Sequence, residues 1–398
     1  MTGSLCEPVM AAYIHVPFCV RKCAYCDFAS YAGCLDRLPA YVDALLREIR
    51  IAGRSASHPN GTPEGRESVH KPLTSVFFGG GTPSLLSPSH MDRLLSGLSD
   101  AFGLASGCEI SLEANPGTVA LPQLQAYRQS GCNRISIGIQ SMQPSILRLL
   151  GRIHQPDEGL TAIRLAAAAG FDRISADLMF GLPQQTVSDV ETSVQTILEL
   201  PVTHLSFYSL SIEPGTVFFE RYDRHPEELP DDEMERAQYE AVREMIAKAG
   251  MVHYEISNAA VPGEECRHNL VYWQARPYHG FGAGAHSYTD GIRRGNTADI
   301  DTYVERILKN DQPFAAADSA VTLTRSQQEQ EFMLLGLRLL EGVDADVYHS
   351  RFGGDLFTRF SAELDTLSAS GLLERDGRRI RLTRKGLDLA NQVFIEFV

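Results

Sequence analysis

Between residues 12 and 210 the chain alternates between two patterns of apolar and polar positions. Short runs rich in β-branched and aromatic residues fall at 12–16, 75–78, 109–113, 134–140, 173–179 and 204–210, and each reads as a strand. Longer stretches of helical period separate them; Leu38, Tyr41, Val42, Leu45, Leu46 and Ile49, for example, form one apolar stripe. Six strand–helix units in succession predict an α/β fold with a parallel sheet and right-handed crossovers, closed into a full or a partial barrel. Residues 53–72 break the pattern. Rich in Gly, Pro, Ser and charge, they read as a flexible surface insertion without chemistry of its own.

Beyond Pro313 the pattern changes. Phe332, Leu335, Leu339 and Leu340, then Leu356, Phe360, Leu364 and Leu367, recur at helical spacing, and a hairpin around an Asp-Gly pair follows. This predicts a mainly α, winged-helix-like domain over 316–398, a barrel domain over 1–255 and a linker segment over 256–315. A winged helix invites a nucleic-acid reading, which charge opposes. Residues 318–398 carry ten Lys and Arg against thirteen Asp and Glu, and the whole chain has a formal charge of −14. Without a basic face there is no sequence-independent grip on nucleic acid, so a structural cap or a protein-docking module fits better.

The 398 residues, 43% of them hydrophobic, are enough for one large α/β domain and a smaller one. No run approaches the roughly 18 apolar residues of a membrane span, and residues 1–12 lack the features of a signal peptide. A cytoplasmic location is therefore expected. Peripheral membrane association and a homodimer stay open. Eight cysteines in that setting point to thiols and metal ligation, not disulfides. Cys6, Cys34, Cys108 and Cys132 have no ligand spacing and read as bystanders or small core residues.

Cys19, Cys23 and Cys26 are different, with three residues between the first two and two between the last two. The spacing is too tight for a disulfide framework, and a tetrahedral zinc site would need a fourth ligand that neither Asp27 nor the distant histidines supply. Three thiolates on a short loop suit one face of a four-iron cluster, which ordinarily takes four, so one iron is left open. The segment resembles the radical S-adenosylmethionine (SAM) superfamily, and its wording is similar to the branch of the HemN coproporphyrinogen oxidases and the HemW haem chaperones. The resemblance extends over nearly the whole chain and implies a partial (β/α)6 radical SAM barrel with a HemN-type C-terminal domain. It also implies a [4Fe-4S] cluster whose open iron is chelated by SAM, with an electron passing from the reduced cluster to the sulfonium.

The polar residues near the predicted strand ends fit that implication. Gly79-Gly80-Gly81-Thr82 follows the second strand, Glu113 ends the third, Gln140 ends the fourth and Asp177 lies late in the fifth, all at the carboxyl ends where barrel sites are built. Alone, the glycines would be as well explained by a plain tight turn, Arg152 by a solvated helix cap, and the two carboxylates by rim salt bridges. By resemblance, Tyr13, Tyr25, Gly80, Gly81, Thr82, Glu113, Gln140, Arg152 and Asp177 bind SAM. Side chains on Gly80 and Gly81 are expected to intrude on its methionine end.

A second constellation is Cys266-Arg-His268-Asn269-Leu-Val-Tyr272-Trp273, which holds the chain's single Trp. It is similar to the His-Asn-x-x-Tyr-Trp pattern of HemW, which implies haem binding with His268 as axial ligand or pocket residue, beside Tyr272 and Trp273. Cys266 is the alternative ligand. His279 and His286 read as structural. Within the branch, HemN carries a further cysteine where this chain has Phe28, and a longer stretch than the eighteen residues that precede Cys19 here. The resemblance thus implies a haem chaperone that passes haem to apoproteins such as respiratory cytochromes, without coproporphyrinogen oxidase activity. The alternatives are a HemN-like decarboxylase or another radical SAM catalyst, such as a methyltransferase or a haem-opening enzyme.

Overall fold

The structure, a computed structural model, describes residues 8–57 and 71–398. Six parallel strands form its centre: β1 (Ala11–Val16), β2 (Leu73–Gly80), β3 (Leu104–Ala114), β4 (Arg134–Gln140), β5 (Arg173–Phe180) and β6 (His204–Ser209). Three short strands extend the sheet: β7 (Val252–Glu255), β8 (Asn258–Ala260) and β9 (His279–Phe281). The order is β9-β1-β2-β3-β4-β5-β6-β8-β7, with β9 parallel to β1 and β8 antiparallel to β6. The two edge strands are not paired with each other, so the barrel is partial.

The strands have the period of two that separates a helix-facing side from a lumen. Ile14, Val76, Phe78, Leu112, Ile135, Ile137 and Ala176 are buried against the helices, among them α1 (Leu38–Ser57) and α2 (Pro88–Phe102). The predicted stripe of α1 is buried throughout, and each Leu or Ile in it contributes roughly 1.5–3 kcal/mol of burial. The alternate positions, Ser136, Gly138 and Gln140 on β4 and Ser175, Asp177 and Met179 on β5, line a central cavity instead.

Two expectations need correction. Most of the insertion at 53–72 lies outside the described residues, but its first five residues are the last turns of α1, where Gly53 packs against Ala101. Residues 256–315 are no linker. They supply β8 and β9 to the sheet, and Phe281, Ala283, Ile300, Tyr303 and Ile307 belong to the barrel's core. The aromatic and aliphatic positions of this segment are too widely spaced by Gly to show as one element.

A second core, including Phe332, Met333, Tyr348, Phe360, Leu364, Ile380 and Phe397, holds the C-terminal helices together with a three-stranded wing. The hairpin of that wing pairs Asp376 with Arg379, so its turn residues are Gly377 and Arg378, one position later than the Asp-Gly expectation. Among the described residues no helix is long and apolar enough to cross a membrane.

Candidate functional site

A cavity of about 460 Å³ opens at the carboxyl ends of β1–β6. Cys19, Cys23 and Cys26 line one wall, carried by the loop that leaves β1. Among the described residues no three His, Cys, Asp or Glu side chains converge on a single metal ion, so the thiols are not a ready-made mononuclear centre. Burial raises the pKa of Cys19 and of Cys26. Thr82 donates to Cys19 Sγ at 3.5 Å, and Arg152 Nη1 to Cys23 Sγ at 3.6 Å. Ser30 Oγ, buried in the same cavity, has no hydrogen-bond partner among the described residues. Soft ligands beside an orphaned hydroxyl and a guanidinium suit an anionic iron–sulfur cluster, so the donor set fits the group that the loop spacing implies.

The glycine turn is built more tightly than its sequence suggested. Gly79 and Gly80 are the last residues of β2, and Gly80 has φ +109°, a conformation that side-chain-bearing residues avoid. A Cβ there would overlap the His15 imidazole, and one on Gly81 would lie 2.8 Å from the carbonyl oxygens of both Phe18 and Val16. Gly80 is therefore required by the His15 ring of β1, and Gly81 by the chain where β1 passes into the cysteine loop. Contacts within the chain thus exclude side chains here independently of any ligand.

Two half-buried carboxyls line the same cavity. Glu113 accepts from the Gly80 N–H at 3.1 Å, and Asp177 accepts from Ser136 Oγ at 2.8 Å. Burial, and then the Asp177 charge, push Glu113 up to about 7; burial also pushes Asp177 up to about 6. Neither is in an ion pair among the described residues, so the rim-salt-bridge explanation does not hold. Arg152 is no solvated cap: Nη2 donates to Asn115 Oδ1 at 2.5 Å and to the Gly138 carbonyl at 2.6 Å. Gln140 is held at φ +67° and accepts from the Tyr208 hydroxyl at 2.9 Å. Such a left-handed non-glycine residue at a strand end is the kind of strain that collects at functional sites.

Of the expected SAM residues, Tyr25, Gly80, Gly81, Thr82, Glu113, Gln140, Arg152 and Asp177 all line this cavity. Tyr13 does not; its hydroxyl is bonded to His15 Nδ1 at 3.0 Å and its ring stacks on Phe77. The sequence reading missed Asn115, which links Arg152 to Thr82, and the floor residues Arg134, His204, Asn258 and Asn269. Arg134, His204 and Asn258 are polar side chains that open otherwise apolar strand runs, whereas Asn115 and Asn269 lie outside the strands.

The second constellation forms helix α7 (Arg267–Trp273) at the base of the barrel. Glu109 accepts from the backbone N–H groups of Arg267 and His268, both at 3.2 Å, and pairs with Arg173 at 2.9 Å. His268 is buried. Ser75 Oγ lies 3.0 Å from its Nδ1 and the Tyr272 hydroxyl 3.0 Å from its Nε2, and burial pushes its pKa down to about 3. The imidazole is neutral, but both nitrogens are already engaged. Cys266 is equally closed off, with burial pushing its thiol up to about 12. Tyr272 and Trp273, in contrast, line a second cavity of about 380 Å³ together with His286. His279 is buried in the barrel core, whereas His286 is exposed.

Comparison with known proteins follows the same division. The model of the Radical SAM superfamily matches residues 13–197, and that of the HemN C-terminal domain matches residues 323–389. A Bacillus subtilis protein named haem chaperone HemW is 36% identical over 98% of this chain and 99% of its own. Its Escherichia coli namesake is 35% identical over 98% of both chains. The solved Escherichia coli coproporphyrinogen III oxidase HemN, described as a radical SAM enzyme, superposes with a TM-score of 0.83 over 99% of this chain and 91% of its own. At 21% identity it shows the fold alone.

Proposed function

The chain belongs to the HemW family of radical SAM proteins, and from that premise we propose that it is a haem chaperone. It binds haem and passes it to haem-requiring apoproteins, respiratory cytochromes among them. The observation that carries this reading is identity of 35–36% to named haem chaperones across 98% of the chain, spanning barrel, α7 region and C-terminal domain alike.

In this reading Cys19, Cys23 and Cys26 hold a [4Fe-4S] cluster with one iron free of protein ligands, and SAM occupies the cavity beside it. When bound and reduced, the cluster supplies an electron to the SAM sulfonium. The chain's own residues bind and orient. Gly80 leaves room for the His15 ring, Gly81 lets the chain leaving β1 approach, and the N–H of Gly80 fixes Glu113. Glu113 and Asp177 offer acceptors to ribose hydroxyls and a favourable charge to the sulfonium, to the extent that each is ionised. Arg152 is tied to Asn115 and suits the carboxylate of SAM. Tyr25 and Tyr208, both half-buried, supply aromatic wall to the cavity.

The test is anaerobic reconstitution of the full chain with iron and sulfide, followed by separate incubations with SAM and either haem or coproporphyrinogen. Haem uptake without conversion of coproporphyrinogen is the expected result. SAM-dependent release of carbon dioxide from coproporphyrinogen would replace the chaperone by a decarboxylase.

A further inference from the structure

The cavity that has the cysteine loop at its mouth continues down the lumen to a floor beyond the residues assigned to SAM. Along β4, Arg134, Ser136, Gly138 and Gln140 all face it, and six residue steps separate Arg134 from Gln140, about 20 Å at the usual strand rise. Arg134 is only 2% exposed, yet its guanidinium makes no hydrogen bond or ion pair among the described residues. The carboxyls that attract it, Glu109 and Asp177, are engaged elsewhere. Glu109 is committed to Arg173 and to the N–H groups that begin α7, and Asp177 to Ser136. Two further side chains on the floor make no hydrogen bond among the described residues: the Asn269 amide, carried by α7, and the Ser206 hydroxyl of β6.

A buried cation without a protein partner is costly, because nothing returns the hydration it has lost, and such a group marks a place for a ligand. A planar fork of N–H donors beside a carboxamide matches a carboxylate. A dianionic phosphate fits less well. Glu109 and Asp177 already bring negative charge to this part of the barrel, and His204, bonded through both nitrogens to Ser175 and Tyr254, adds no positive charge. We propose that the base of the lumen is a second small-molecule site, for a short hydroxylated monocarboxylate whose carboxylate rests on Arg134 and Asn269 and whose hydroxyls meet Ser136, Ser175 and Ser206. The site is independent of haem and rests only on SAM occupying the strand ends above it. A molecule held there shares one continuous cavity with SAM.

Radiolabelled glycerate is the probe, in equilibrium dialysis against the full chain reconstituted anaerobically with its cluster and SAM, with glycerol and inorganic phosphate as competitors. Wild type should bind glycerate saturably, and neither competitor should displace it. Arg134→Lys keeps the charge but loses the fork, so it should bind glycerate roughly tenfold more weakly, and Asn269→Ala should also weaken it; SAM affinity, read in the same dialysis, should fall by less in both. Arg134→Met should bind no glycerate, and without ligand it should melt no lower than wild type, because it removes an unpaired buried cation. No saturable binding by wild type, displacement by phosphate as effective as by unlabelled glycerate, or an Arg134→Met chain that melts well below wild type would each overturn the proposal. Equal losses of SAM and glycerate affinity would also overturn it, by assigning Arg134 to the SAM site. Haem enters none of these readings, so a failure of the chaperone reading leaves them standing.

Discussion

Glu113→Gln separates the energetic cost of the cavity from its use. The change keeps the shape of the side chain and an oxygen that can accept from Gly80 N–H, but removes the charge. Folding raises the Glu113 pKa from 4.5 to about 7, chiefly by burial. The folded state therefore binds the proton more tightly than the unfolded chain, and stability falls as pH rises from about 4.5 through 7. A rise of this size corresponds to about 3 kcal/mol at alkaline pH. Since part of the carboxyl faces the open cavity, about 2 kcal/mol is the expected gain from Gln at pH 8, shrinking toward zero near pH 4.5. The assay is the thermal midpoint of the cluster-free variant minus that of wild type, measured at pH 5 and pH 8. The same variant, reconstituted, should bind SAM several-fold more weakly, and wild-type affinity should rise between pH 6 and 8 as Glu113 and Asp177 ionise. A difference in midpoint that is equal at both pH values, or a variant that binds SAM like wild type, would refute the reasoning.

Replacing Cys19, Cys23 or Cys26 by Ala should each abolish the brown absorption of the reconstituted cluster, while Cys34→Ala and Cys266→Ala leave it intact; equal loss in either of the latter would put a fourth thiolate on the cluster. Gly81→Val should lower iron content as well as SAM affinity, because its side chain would meet the Val16 and Phe18 carbonyls of the loop itself; iron analysis showing a full cluster with weakened SAM would restore the simpler explanation of ligand space. Arg152→Gln should weaken SAM binding by roughly tenfold, about 1.4 kcal/mol for one charge-assisted contact, and equilibrium dialysis giving an unchanged constant would remove Arg152 from the site.

The central sheet was legible because each of its strands is a compact β-branched or aromatic run, and 134–140 coincides with β4 residue for residue. Strands β7, β8 and β9 were not, being three or four residues long and borrowing their register from neighbours already in place. Most of the cavity lining was readable from the resemblance and from polar residues at strand ends. Tyr13 stands apart from the cavity lining with its hydroxyl bonded to its neighbour His15, a contact that no spacing reveals. The surroundings of the motif at 266–273 were hidden for another reason. Sequence can mark His268 as distinctive but cannot show that Ser75, nearly two hundred residues earlier, and Tyr272 occupy its two nitrogens.

Transfer of haem is the central claim, and it is tested most directly by loading the full chain with haem and mixing it with an apo-cytochrome while the Soret bands of donor and acceptor are followed in time. The account predicts that haem leaves the chain and appears in the cytochrome faster than it does from haem free in the same buffer, at a rate that depends on the concentration of the acceptor. Haem that stays on the chain, or that arrives only at the rate of free haem, would contradict it.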